Sequence, residues 1–262
     1  MASRSKPDSG IMETIKTVFW ALVIAGIFRT LFFQPFFIPS ESMKENLLIG
    51  DFLFVNKMAY GYSRYSCPFA ICPISGRILG SDPQQGDVVV FRHPVSGQDY
   101  IKRLIGLPGD KIQMKQGVLF INDTVAPQVP DGQFVEIYDA QGSEGNTPKC
   151  ENRPVGIGGE CTRSRYVETL PNGTTHTVLN SDQSSFPDNT DVFTVPVGNY
   201  FFMGDNRDNS MDSRFSPNVG GVGFVPYENL VGRADRVIFS SAGSSLFFFW
   251  TWRLDRFYKA IE

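Results

Sequence analysis

The chain has 262 residues, 24 of them basic and 27 acidic, so it can form one large or two modest domains, and no basic surface argues for nucleic acid. Its four cysteines form no CxxC, its two histidines lie far apart, and it has no HExxH, which disfavours zinc chemistry. The absence of a G-x-S-x-G elbow argues against an α/β-hydrolase.

Residues 1–16 are polar and carry Arg4, Lys6 and Lys16. Residues 17–33, TVFWALVIAGIFRTLFF, are apolar except for Arg29. As a helix this stretch spans about 26 Å, just short of a ~30 Å hydrocarbon core, a gap that snorkelling by Lys16 and Arg29 closes. Bulky Leu31, Phe32 and Phe33 do not form a cleavable small-x-small site, and apolar side chains on nearly every face do not suit a core helix. We therefore expect a transmembrane anchor, with residues 1–16 cytoplasmic and the bulk of the chain outside.

Pro35 and Pro39 make residues 34–38 extended. Residues 37–51, FIPSESMKENLLIGD, contain Ser40 and Ser42; taken alone, either serine reads as a loop residue or a cap. A Gly50-Asp51 turn precedes a strand at 52–56, and residues 59–82 look like loop. GDVVVF at 86–91 and YIKRLIGLPGDKI at 100–112 read as two strands joined by HPVSGQD. From 113 to 199, short strands such as 117–121 and 134–138 alternate with stretches rich in Gly, Pro, Asn and Ser. That region reads as an inserted, loop-rich β subdomain outside the chemistry. Strands at 192–195 and 200–203 lead into GDNRDNSMDSR, and 224–240 holds a last strand. The fold class expected is therefore mainly β: an antiparallel-sheet core from 34–112 and 200–244, an insertion at 113–199 and one N-terminal membrane helix.

The tail, 245–262, mixes aromatic and basic residues. It reads equally as an interfacial segment on the membrane or as a terminal helix docked on the core. Cys67 with Cys72 and Cys150 with Cys161 form two local pairs in Pro/Gly-rich loops, suggesting disulfides in an oxidising compartment, although four cysteines allow three connectivities. His93 and His176 read as surface residues.

A nucleophilic serine needs a proton acceptor, and the histidines are poorly placed. Lys102 lies inside a strand whose alternation sets it beside apolar neighbours, where burial can depress an ammonium pKa by up to ~3–5 units. Such a lysine can act as a general base near neutral pH. Residues 204–214 lack the spacing of a calcium loop, and Arg207 and Arg214 would oppose a cation. Asp and Arg in alternation suggest instead an internal ion-pair network that holds Ser210 against a lysine amine.

PSESM, GDFLFVNKMAYG, GDVVVF, YIKRLIGLPGDKI, GDNRDNSMDSR and FVPYENLVGRA, in this order behind an anchor, resemble bacterial signal peptidase I. The likeness covers roughly a third of the chain, spread through it. It implies a serine endopeptidase that removes signal peptides after small-x-small sites, with Ser42 as nucleophile and Lys102 as base. It further implies Ser40, with the Ser42 backbone N–H, as oxyanion donor, and Ser210 as the group that orients the base. Asp212 and Arg214 match a supporting pair, and Gly204, Asp205, Asn206 and Arg207 the structural part of the same box. Phe36, Ile38 and Ile101 would line the substrate pockets. Exported preproteins and the lipid bilayer are the partners expected, for a monomer without cofactor or metal in the bacterial inner membrane. One departure is Glu45-Asn46, where the family usually has Pro-Thr, so that the turn behind Ser42 lacks a stiffening proline. Other readings are a Ser/Lys maturation peptidase with another target, and a silent membrane-anchored binding protein for exported chains. A self-cleaving repressor fits poorly with an anchor and no DNA-binding segment.

Overall fold

The computed structural model describes residues 8–142, 145–182, 184–243 and 246–261. Arg4 and Lys6 lie outside these, as do the tail's terminal positions, 245 and 262. Helix α1 (Asp8–Leu31) is followed by β1 (Phe33–Phe37), β2 (Asp51–Asn56), β3 (Tyr62–Ser63), β4 (Arg77–Ile78), β5 (Val88–Arg92) and β6 (Asp99–Gly106). Then come β7 (Lys111–Lys115), β8 (Val118–Ile121), β9 (Thr124–Val125), β10 (Gln128–Ile137), β11 (Glu160–Thr169) and β12 (Thr175–Asn180). The chain closes with β13 (Phe193–Thr194), β14 (Asn199–Met203), β15 (Val225–Pro226) and β16 (Leu230–Ser240). The fold is mainly β and antiparallel, with one N-terminal helix of membrane-spanning character.

That helix starts earlier and stops sooner than the apolar run suggested. Its crossing-competent part, Gly10–Leu31, has 22 residues, none buried in the protein. At 1.5 Å per residue this is about 33 Å, enough for a hydrocarbon core without help from snorkelling. It ends before Phe33 because Pro35 is incompatible with helix and Phe33–Phe37 pairs antiparallel with β2. Lys57 N–H donates to Phe32 O at 3.0 Å and Tyr62 Oη to Leu31 O at 2.7 Å, tying the helix end to the body.

Among the described residues the main sheet has seven strands in the order β1-β2-β16-β5-β6-β14-β15. Alternation divides its sides. Val88 and Val90 of β5 pack with Ile38, Leu53, Val55, Ile101 and Val237, whereas Val89 and Phe91 pack with Leu104, Phe202 and Leu230 on the other side. A third cluster joins Ile112, Leu119 and Ile121 to Phe201 and Met203, so β7 and β8 grow out of the same core. Two edges of the main sheet are open. β1 pairs only with β2, and residues 99–102 of β6 pair with β5 alone, since β14 joins from Arg103 onward.

Two loop expectations change. Within 59–82, β3 pairs with β4, and Arg77 crosses to the carbonyl oxygens of Gly61 and Tyr227. The tail docks on the core but not as a helix: it forms short 3₁₀ turns, bridges Arg236 of β16 through Ala260 and Ser241 just beyond that strand through Trp252, and buries Arg256 against Asp51. Phe247, Phe249 and Trp250 stay outside, 91%, 67% and 69% exposed. In this arrangement Arg256 gains a buried carboxylate.

Candidate active site

Ser42 sits in the turn that closes residues 38–51. Ile38 N–H donates to Asp51 O, Gly50 N–H to Ile38 O and Lys44 N–H to Glu41 O, which fixes the loop from both ends. Lys102, on β6, brings Nζ to 2.6 Å from Ser42 Oγ and 3.0 Å from Ile101 O. Both side chains are buried, Ser42 at 7% exposure and Lys102 at 4%. Burial lowers the Lys102 ammonium to about 8, with Asp212 and Asp205 pulling weakly the other way. A neutral amine at that distance can accept the hydroxyl proton. Ser40 is exposed, its Oγ 3.5 Å from Ser42 Oγ, and among the described residues the Ser42 backbone N–H donates to no protein acceptor. Ile38 and Ile101 belong to one apolar cluster, with Phe36 packed against it.

The 204–214 segment folds around Ser42 and Lys102, but its ion pairs are mostly not internal. Asp212 and Arg214 pair with each other at 2.8 Å, whereas Asp205 takes Arg103 of β6 and Arg207 takes Glu168 of β11. Burial alone would raise the Asp205 and Asp212 carboxyls; Arg103 and Arg214, respectively, hold them below the usual range instead. Asn206 N–H donates to Ser42 O at 3.1 Å. Ser210 is buried; its hydroxyl helps Arg214 hold the Asp212 carboxyl low, and among the described residues its Oγ makes no well-formed hydrogen bond to Lys102. Gly204 sets the spacing: a Cβ there would lie 2.3 Å from Ser210 Oγ and 2.5 Å from Ser42 O. Gly204→Ala should therefore lower activity at least about 100-fold and cost about 1–3 kcal/mol of stability, read by turnover and thermal melting. Unchanged turnover in this variant would contradict such close packing.

The insertion packs against the segments around Ser42 and supports them through buried ion pairs. Glu168 receives Arg207 through both guanidinium nitrogens and lies 3.3 Å from His176 Nε2. Although burial opposes ionisation, Arg207 and His176 hold Glu168 well below the ordinary carboxylate range. A second buried cluster grips the Ser42 turn itself. Lys44 Nζ bonds Glu41, Glu136 and Gln141 at 2.8 Å each; Arg163 pairs with Glu136, and Asn209 Nδ2 donates to Glu41 Oε2 at 2.8 Å. Register explains the convergence, since β10 and β11 pair antiparallel with Phe134 opposite Arg163 and Glu136 opposite Cys161. Glu41, Lys44, Glu136, Arg163 and Glu168 were not anticipated.

Glu45-Asn46 does not leave the turn loose. Asn46 Nδ2 donates to Asp205 Oδ2 at 2.7 Å, Arg256 donates to Asn46 O at 2.9 Å, and Glu45 faces Arg165 at 3.4 Å. Side-chain bonds thus hold what a proline ring would stiffen.

Both histidines are buried rather than at the surface. His93 accepts the Val95 and Ser96 N–H groups on Nδ1, packs on Tyr100 and bonds Gly221 O through Nε2, a neutral structural imidazole. His176 points inward with Val178, and burial with nearby Arg103 pushes its pKa down. Alternation within THTVLN carried that signal. Cys67 bonds Cys72 and Cys150 bonds Cys161. No group of metal-binding side chains occurs among the described residues.

A family model described as signal peptidase, peptidase S26, matches residues 11–239. The chain belongs to this signal peptidase family. It is 37% identical over 249 residues to a signal peptidase I of Rickettsia typhi, covering 90% of this chain and 83% of that one. A signal peptidase I of Rickettsia canadensis is 40% identical over 238 residues, covering 86% of this chain and 79% of its own length. A solved signal peptidase I from Enterococcus faecalis V583 is 25% identical, covering 58% of this chain and 97% of that one with a TM-score of 0.29. In this signal peptidase the residues that surround Ser42 come from three places: the turn after β1, strand β6, and the 204–214 segment backed by the insertion.

Proposed function

We propose that this chain is a membrane-anchored serine endopeptidase that cuts signal peptides from exported preproteins after small-x-small sites through a Ser42/Lys102 dyad. The observation that carries the reading is the 2.6 Å approach of Lys102 Nζ to Ser42 Oγ in a buried setting that depresses the ammonium. Neutral Lys102 takes the Ser42 proton as Oγ attacks the carbonyl carbon after the small residue. Ser40 Oγ and the Ser42 N–H are assigned to the developing oxyanion. Lys102 then gives its proton to the leaving amine and activates water against the acyl-enzyme. Ser210, the buried hydroxyl next to Asp212, is assigned to orient the Lys102 lone pair, and Asp205, Arg207, Asp212 and Arg214 to hold that wall in place.

The substrate binds extended along the open edges of β1 and β6, by strand addition. Phe36, Ile38 and Ile101 leave room only for small side chains at the first and third positions before the cut. Residues 10–31 cross the inner membrane with the N-terminus cytoplasmic and the β body on the outer face, so that Ser42 meets cleavage sites as they emerge beside the bilayer.

The test is cleavage of a purified Ala-x-Ala precursor by the full-length protein across pH. Activity requires neutral Lys102, so the single-turnover rate should be low below pH 7, rise through about 8 and level off above it. A rate that is flat from pH 5 to 9, or no cut at the Ala-x-Ala site, would overturn the proposal.

A further inference from the structure

On the sheet face that carries Phe36, Ile38 and Ile101, a cavity of about 300 Å³ opens one step further along the strands, toward the end of α1. Alternation explains its lining. Gln34 shares a face of β1 with Phe36, Asp99 a face of β6 with Ile101, and Arg92 a face of β5 with Val88 and Val90. Val231 and Tyr65, which pack with Ile38 and Ile101, also line it, and Arg29 closes the membrane side. Both strand edges that border it are open.

We propose that this cavity receives the side chain of the fifth residue before the cut in a preprotein and rejects a basic residue there. The inference rests on the peptidase reading above. An extended peptide turns every second side chain to one face, so if the first and third positions occupy the pockets at Ile38, Phe36 and Ile101, the fifth lies about 7 Å beyond the third. The direction follows from the anchor: the apolar part of a signal precedes its cut and shares the bilayer with α1. Charge sets the preference. Arg92 and Asp99 neutralise each other at 2.9 Å, whereas Arg29 is exposed and has no ion pair among the described residues. Lys57, 1% exposed, lies near enough to couple with Arg29 and Asp99. The cavity is therefore net positive and suits a neutral polar or acidic side chain.

The experiment uses the full-length protein in detergent micelles with synthetic precursors that share one Ala-x-Ala site and carry Glu, Gln or Lys at the fifth position. The Lys peptide should show kcat/KM about fivefold below the Gln peptide, with Glu equal to or above Gln. Arg29→Glu should invert the Lys-to-Glu ratio, and the milder Arg29→Gln should flatten it. Binding of the same peptides to Ser42→Ala protein, which needs no chemistry, should follow the same order. Equal kcat/KM for the three peptides, or a ratio untouched by either Arg29 variant, overturns the subsite while leaving the peptidase reading intact. Ordered binding without cleavage in the wild type has the opposite meaning: the subsite stands and the peptidase reading falls.

Discussion

Ser42→Ala and Lys102→Met each abolish precursor cleavage, by about 10⁴-fold or more, because groups that act as one unit lose nearly all their effect when either is removed. The two variants should differ in stability, and that difference makes the test specific. Ser42→Ala deletes one hydroxyl that already points at Lys102, so the melting temperature should hardly move. Lys102→Met removes a buried ammonium whose pKa is depressed to about 8, which means that folding works against its charge at neutral pH. A methionine of similar length fills the same apolar space without that cost, so the protein should melt higher while inactive. Below pH 8 the gain should be largest, and it should vanish only as the pH rises above the ordinary lysine value, where the wild-type amine is neutral in both states. Near wild-type turnover in either variant would end the dyad assignment, and a lower melting temperature for Lys102→Met would contradict the desolvation argument.

Glu168→Ala should cost about 3–5 kcal/mol, although Glu168 belongs to the insertion and touches neither Ser42 nor Lys102. It leaves the buried Arg207 guanidinium without its carboxylate and removes the acceptor beside His176. For a chain of this size that predicts a melting temperature lower by roughly 6–20 °C, measured by calorimetry at pH 7. The pH dependence has a definite sign. Glu168 is held below the usual carboxylate range in the folded state, so its contribution is present above the unfolded-state pKa and is lost as pH falls through the folded one. The acid side of the wild-type stability curve should therefore be steeper than that of Glu168→Ala. Adding Arg207→Met should restore part of the loss, because an apolar replacement of the whole pair leaves no orphaned charge. A double variant that is less stable than Glu168→Ala would refute this account.

The parts of the fold that could be read in advance are those with local signals. Pro35 and Pro39 announced the extended entry to Ser42, Gly-Asp turns announced β2 and β5, and the run at 17–33 announced α1, though not its first two turns. Lys102 was readable because alternation set a cation among apolar neighbours within one strand. What was hidden depends on distant register. Glu136, Arg163 and Glu168 are ordinary charges in a loop-rich stretch; they become buried partners only once β10, β11 and β12 pair and fold back against the Ser42 turn. His176 was missed for a different reason. Its threonine neighbours suggested a solvated turn, yet Thr175 and Thr177 face away while His176 and Val178 face in. Asn46 shows the converse: what looked like a missing proline is a side-chain tie to Asp205 that no local pattern reveals.

The Asp51–Arg256 pair adds a matter of timing. Asp51 closes the Ser42 loop by accepting Leu48 N–H and pairing Ile38, and its buried carboxylate is neutralised by a residue near the other end of the chain. In the order of synthesis Ser42 comes first, Lys102 next, the Gly204–Arg214 segment after that, and Arg256 almost last. Until Arg256 arrives, the loop under Ser42 holds a buried anion with no counter-charge, and its closed form is disfavoured.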